Sequence, residues 1–329
     1  MIPPLIFKPV YKDYLWGGGR IAERFGRTEV PLRCAESWEI ADRDDGMSVV
    51  EGGPFAGRSL FELVHNLDDD LLGKGRKYPS FPILVKLIDA KERLSVQVHP
   101  NEENAFLTGG EAKTEMWYVI NDPNITSNAA VYAGFKQRCS QKEFRERTSS
   151  GLPEDYESLF SRFNANPGDA FYIPGGRVHA IDQGCLLLEV QQNSNTTYRL
   201  WDWDRVGVDG KKRELHFEKA LCVIDWNDVR NSRLEPTPIK EKNGLYGEQI
   251  IQNKYFTIRR YSLNQDVRFG TEQLRFEILF APDNELTIEY GSEFFQIPMG
   301  RTCLVPAALG VYRIHTKERT GEVIRILPV

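Results

Sequence analysis

Cysteine is scarce in this chain: five among 329 residues, at Cys34, Cys139, Cys185, Cys222 and Cys303. The number is odd and none stand at CxxC spacing, so neither a disulfide framework nor a cysteine-ligated metal centre is expected, and a reducing compartment suits the chain. A surplus of positive charge is also missing. With 42 basic against 47 acidic residues the formal charge is -5, which argues against the broad footprint of a nucleic-acid or anionic-membrane binder. No apolar run is long enough to span a bilayer, and the opening residues MIPPLIFKPVYKDYLW lack a basic region followed by a sustained apolar stretch. The expectation is a cytoplasmic protein with no nucleic-acid or membrane partner, in which any anionic ligand meets a local cluster of cations. Core-forming residues, in contrast, are plentiful: 41% are hydrophobic, enough for one large domain or two medium ones.

The segment from Phe55 to Lys77 has leucine and valine at helical spacing (Leu60, Leu63, Val64, Leu67, Leu71) and predicts a helix outside the main core. The texture then changes to short apolar or alternating runs separated by Gly, Pro, Asn and Asp, among them ILVKLIDA, EMWYVI, AVYAGF, DAFYIP and CLLLEVQQN. Such runs describe an antiparallel sandwich or barrel. Ser140 to Phe163 reads as a helical insertion on that scaffold. A polar, proline-containing stretch between Val229 and Gly244 reads as a linker, so the expected domains are 1-235 and 236-329, the second small and all-β. Gly168 to Pro174 and Gly300 to Pro306 share one pattern: a glycine, five strand residues and a proline. If the two are copies, the tail is a degenerate, metal-free sandwich, because Val311 stands where the first copy has His179.

Two motifs carry metal chemistry. Gln97 and His99 are two apart at the end of an alternating strand and therefore point to one side. Gly168 to His179 has the form G, five residues, P, one residue, G, two residues, H, in which glycine and proline shape a hairpin that presents the histidine. That is the spacing of the second cupin motif, and Glu115 opens a strand as the carboxylate of the first motif does. Two imidazoles, a carboxylate and an amide oxygen suit a borderline divalent ion such as zinc, with iron or manganese also admissible. His65, His216 and His315 have no comparable setting and read as structural.

At these residues the chain resembles the type I phosphomannose isomerases, in a short form without a large helical insertion domain. The resemblance runs through most of the first 225 residues: Tyr14-Leu15-Trp16-Gly17-Gly18, Glu36-Ser37-Trp38-Glu39, Leu84 to Ala90, Gln97-Val98-His99-Pro100-Asn101, Lys113 to Tyr118, Gly134-Phe135-Lys136, Pro174 to Ala180 and Glu189 to Arg199. It implies a mainly β cupin jelly roll with helical segments, and one zinc ion per chain held by Gln97, His99, Glu115 and His179. It also implies a sugar-phosphate pocket reached by Lys86, Lys136, Glu189 and Arg199, and the interconversion of an aldose and a ketose phosphate. Where the family often has aspartate after the serine of the last motif, this chain has Asn195.

The chemistry needs a base to carry a proton between adjacent carbons. Glu189, amid apolar neighbours on CLLLEVQ, is the candidate, since burial raises a carboxyl toward neutrality; a solvent-facing or salt-bridged strand residue is the alternative. Arg199 and Lys136 are further catalytic candidates. Lys86, inside an apolar strand, calls either for a bound anion or for an internal carboxylate. Two other functions fit the same residues: a metal-dependent cupin oxygenase, and a sugar-phosphate binding protein without turnover.

Overall fold

In a computed structural model of the chain, residues 2-124, 128-207, 210-241, 244-264 and 266-329 are described. They form two compact units, one of residues 11-37 and 86-234, the other of 1-10, 38-85 and 235-329. The last of the four changes of unit falls between Leu234 and Glu235.

The unit of residues 11-37 and 86-234 is built on a five-stranded sheet in the order Phe160–Asn164, Ala130–Phe135, His179–Ile181, Val96–Val98, Tyr198–Trp201. Its companion is a six-stranded sheet in the order Ala170–Ile173, Glu115–Val119, Cys185–Gln192, Ile83–Ala90, Glu36–Ile40, Val10–Lys12. Side chains alternate across the five-stranded sheet as the pleat requires. Val131, Ala133 and Ile181 face Trp117, Val119, Ile173 and Leu187 of the companion sheet in one apolar core. Val96, Val98, Tyr132, Ala180, Tyr198 and Leu200 face the other way and are covered by Phe144, Tyr156, Leu159, Ala220 and Leu221, which belong to three short helices, Gln141–Arg147, Pro153–Leu159 and Phe217–Val223. The chain is mainly β, with the two-sheet sandwich expected of a cupin.

The helical stretch expected over 140–163 is divided. Ser140 caps the first helix by accepting from the Glu143 amide, Pro153 starts the second, and Phe160–Asn164 is a strand paired with Ala130–Phe135. The aromatic spacing that reads as helix in Phe160 and Phe163 is shared between two cores: Phe160 packs with Phe144, and Phe163 with Phe171.

The other unit has a six-stranded sheet, Thr237–Lys240, Tyr246–Gln252, Phe256–Ser262, Glu322–Pro328, Glu277–Phe280, Thr302–Val305, and a four-stranded one, Val267–Gly270, Val311–His315, Leu286–Tyr290, Glu293–Ile297. Tyr261, Leu279, Val305, Phe269, Ile288 and Ile314 fill a shared core. The first stretch expected as helix is narrower than 55–77: Leu60–Leu72, with Ser59 and Glu62 forming a reciprocal capping box. Of the segment expected as a linker, Thr237–Lys240 is an edge strand paired with Tyr246–Gln252. Pro238 is tolerated there because an edge strand leaves one row of N–H groups unused. Lys242 and Asn243 of that segment lie outside the described residues.

The two glycine-to-proline segments match in structure. Each begins at a glycine with positive φ, 83° at Gly168 and 76° at Gly300, and each continues as the terminal strand of a six-stranded sheet. Ile173 lies opposite Glu115 in one, and Val305 opposite Glu277 in the other. After the proline the copies diverge: Ala307–Leu309 forms a short 3-10 turn. Val311, expected in the place of His179, is exposed, whereas the next residue, Tyr312, is buried and donates its hydroxyl to Glu277.

Candidate active site

The alternation that builds the sandwich also selects the site. Gln97 lies between the outward Val96 and Val98, Arg199 between the outward Tyr198 and Leu200, and His179 precedes the outward Ala180, so all three point inward. In the ladder Gln97 is opposite His179 on one side and opposite Arg199 on the other. From the companion sheet, Glu115, Glu189 and Lys86 share the parity of the inward Trp117, Leu187 and Ile88. Apolar residues occupy one part of the interior and polar residues the other.

His99, Glu115 and His179 form a buried cluster whose ligand atoms all lie within 4.8 Å of one another. The Nε2 atoms of His99 and His179 are each 3.4 Å from an oxygen of Glu115. Donors bound about 2.1 Å from a tetrahedral ion would be about 3.4 Å apart. The His179 Nδ1–H donates to the Arg177 carbonyl at 2.9 Å, which fixes the tautomer and leaves Nε2 with its lone pair toward the cluster. Neither nitrogen of His99 and neither oxygen of Glu115 has a hydrogen bond among the described residues, although all are buried and only Glu115 Oε2 has a cation beside it, the Lys113 ammonium at 3.0 Å. Unsatisfied buried donors of this kind call for a bound cation. Burial pushes the His99 imidazole down to about 3, with Lys113 adding to the effect, and lowers His179 as well. Both therefore present neutral, ligating nitrogens. Burial disfavours the Glu115 carboxylate, but the Lys113 ammonium leads the interactions that hold it well below the usual range.

The hairpin that carries His179 is fitted against the strand end that carries His99. The Gly176 amide donates to the His99 carbonyl at 2.8 Å. Gly175 passes so close to the Pro100–Asn101 backbone that a Cβ would sit 2.5 Å from the Pro100 oxygen. Gln97 also reaches the cluster, with Nε2 3.3 Å from His179 Nε2, while the Ser95 hydroxyl donates to Oε1 at 3.2 Å. A half-turn of the amide would bring its oxygen to the cluster.

Next to the cluster is a cavity of about 150 Å³ whose wall includes Trp16, Glu36, Lys86, Gln97, Lys113, Glu189, Asn195, Arg199 and Arg213. Glu189 is buried there. Its Oε2 accepts from the Trp117 indole N–H at 3.0 Å, and its Oε1 lies 3.2 Å from Lys86 Nζ. Burial raises its pKa, Glu115 adds to the rise, and Lys86 opposes it. Lys86 also meets Glu36 at 3.5 Å, so the buried lysine faces two internal carboxylates. Arg199 is partly buried, and its Nε has no hydrogen-bond acceptor among the described residues. Its main chain is tied to His216, whose amide donates to the Arg199 carbonyl at 2.8 Å.

Of the residues singled out in the sequence, Gln97, His99, Glu115, His179, Lys86, Glu189 and Arg199 come together, but Lys136 does not. It is exposed, its ammonium donates to the Glu157 carbonyl at 3.1 Å, and it is absent from the cavity wall. The strand ends at Phe135, after a register shift between Tyr132 and Phe135; Phe135 then enters the outer aromatic core, and Lys136 follows it away from the interior. Lys113, in contrast, was not singled out. It is buried with Nζ 3.0 Å from Glu115, and its position two residues before Glu115 was the available signal. Arg213 lies beyond the last strand of the sandwich, where no periodicity marks it.

The model of the family described as phosphomannose isomerase type I, catalytic domain, matches residues 5–144. The chain is 36% identical over 322 residues to the mannose-6-phosphate isomerase ManA of Bacillus subtilis (strain 168), covering 95% of this chain and 96% of the relative. It is 34% identical to the mannose-6-phosphate isomerase of Streptococcus mutans, covering 93% of each. The crystal structure of the mannose 6-phosphate isomerase from Bacillus subtilis superimposes with a TM-score of 0.87 at 31% identity over 99% of both chains. With the cupin sandwich and the buried His-Glu-His cluster beside a polar cavity, these likenesses place the chain in the type I phosphomannose isomerase family.

Proposed function

We infer that the protein is a metal-dependent aldose-ketose isomerase that interconverts mannose 6-phosphate and fructose 6-phosphate. The observation that carries this reading is the cavity wall itself: Glu189, Lys86, Lys113 and Arg199 converge beside a metal-ligating cluster, in a chain aligned along nearly its whole length with mannose-6-phosphate isomerases. The donor set of two imidazoles and a carboxylate, with the Gln97 amide as a fourth ligand, fits one Zn²⁺ per chain. Bound there, such an ion would supply Lewis-acid polarisation of the sugar oxygens at C1 and C2.

The other roles fall to this chain's own side chains. Glu189 takes the proton from C2 of the open-chain aldose and returns it to C1 through an enediol, while the O2 hydroxyl proton passes to O1, so that C1 becomes a hydroxymethyl carbon and C2 the ketone. Its burial favours the neutral acid, while the Trp117 N–H and Lys86 hold the carboxylate in one orientation, a combination that suits a shuttling base. Lys86 is satisfied by Glu36 and Glu189 and therefore acts on the base rather than on the substrate phosphate. Arg199, with an unused buried N–H, and Arg213 on the same wall supply the charge for the phosphate dianion. Asn195, also on that wall, can donate and accept hydrogen bonds but has no proton-transfer role. Five free thiols suit work in the cytoplasm. A coupled assay of fructose 6-phosphate formation from mannose 6-phosphate tests the reading. Activity should vanish on chelation and return with zinc; turnover insensitive to a chelator that empties the protein of metal would refute it.

A further inference from the structure

A second concave site lies wholly within the unit of residues 1-10, 38-85 and 235-329. It is a cleft of about 580 Å³ whose wall carries Arg76, Arg259, Arg268, Arg275 and Arg325 against two carboxylates, Glu241 and Glu272. Its strands repeat the register of the metal-bearing sandwich. Glu277 is opposite Val305 as Glu115 is opposite Ile173, and Arg325 is opposite Leu279 as Glu189 is opposite Trp117. An arginine thus stands where the first sandwich has its buried carboxylate.

The carboxylates of this second interior are already engaged. Glu277 accepts from Arg325 at 2.8 and 2.5 Å and from the Tyr312 hydroxyl. Glu241 accepts from Arg259 at 2.7 Å and from the Tyr261 hydroxyl. Cation is left over. Arg275 is only partly exposed and has no hydrogen bond or ion pair among the described residues, and the Arg259 Nε is buried without an acceptor. Burial disfavours the Arg275 charge and, against the pull of Glu277, so do Arg325, Arg259 and Arg76. Arg76 is fixed in place by the carbonyls of Leu274 and Val329 and by the Tyr78 hydroxyl. An anchored, partly dehydrated guanidinium cluster with spare donors is the chemistry that recognises a doubly charged tetrahedral oxyanion.

We propose that this cleft is a second anion site, binding phosphate or the phosphate monoester of a small metabolite, with Arg275 as its principal free donor. The test is hydrogen exchange on the full-length protein with inorganic phosphate up to about 10 mM, against chloride at equal ionic strength. Phosphate should slow exchange in the segment 267–275 in the wild type and equally in Arg199→Gln, which disables the first pocket. In Arg275→Gln the half-saturating concentration should rise at least about tenfold, with Arg275→Lys intermediate. Repeating the Arg199→Gln titration with fructose 6-phosphate separates the sources: half-saturation below that of inorganic phosphate identifies a phosphate ester as the ligand, and half-saturation above it the free anion. Absence of protection over 267–275 in the wild type, or protection unchanged in Arg275→Gln, would overturn the proposal. Should Arg275→Gln fail to fold, the wild-type comparison of phosphate with chloride still decides.

Discussion

Glu189 is held between an indole N–H on one oxygen and an ammonium on the other, and this makes its role separable from that of the metal. Glu189→Gln keeps the shape and removes the basicity, so metal content should stay near that of the wild type while turnover falls by about two to four orders of magnitude. Uptake of solvent deuterium into the sugar should be lost with it, and isomerisation at the original rate in deuterated water would move the base elsewhere. Lys86 gives a second handle. Its cation favours the ionised form of Glu189, so Lys86→Met should raise the Glu189 pKa. A base must be deprotonated to act, so the acidic limb of the pH-rate profile should then move to higher pH, and an unmoved limb would dissociate Lys86 from the base. At this scale the sequence was readable where a residue's direction is fixed within a few positions: His99 and Gln97 by strand parity, His179 by its glycine-proline hairpin. Lys136 misled because its direction depends on where a strand ends, and that is set by Phe135 entering a core assembled from distant helices.

Among the elements, the turn from Pro174 to His179 controls the distance between the two imidazoles. Gly175 allows its backbone to lie against Pro100 and Asn101. Gly175→Ala would force these segments apart, since a Cβ 2.5 Å from a carbonyl oxygen must displace it. Metal affinity should drop by about tenfold or more, read by competition with a chromophoric chelator, with far-ultraviolet circular dichroism unchanged; wild-type affinity would show that the close approach is not what sets the site. The strands of both sandwiches were legible because alternation and turn residues agree locally. The expected helix over 140–163 was less so, because its aromatic spacing is produced by two short helices and a strand whose Phe160 and Phe163 enter different cores.

For the molecule as a whole, the repeated register gives two sandwiches with opposite chemistry at the same interior position, a metal-ligating cluster in one and an arginine-carboxylate pair in the other. Metal analysis of the intact chain should therefore give about one ion in the wild type and near none in His99→Ala/His179→Ala; a full ion in the double variant would place a centre outside the first sandwich. The glycine-to-proline echo was visible in the sequence, but its content was not, since the 3-10 turn over Ala307–Leu309 shifts the inward position from Val311 to Tyr312. The grouping of residues 1-10 and 38-85 with the C-terminal strands left no compositional mark, because the first three changes of unit fall inside strands, Val10–Lys12, Glu36–Ile40 and Ile83–Ala90.

That grouping bears on the order in which the protein can be made. Residues 11-37 and 86-234 are all available once Leu234 has left the ribosome, so the metal-bearing sandwich can close before the strands from Thr237 onward have emerged. The other unit waits for residues 322–328. Its strand Glu322–Pro328 follows every other strand of the unit in the sequence, yet it lies between Phe256–Ser262 and Glu277–Phe280 in the middle of the sheet. Until it arrives, the N-terminal segments that belong to this unit have no finished partner and must persist as nascent, chaperone-accessible chain. A stop codon at position 322 would remove the centre of a sheet rather than fray its edge.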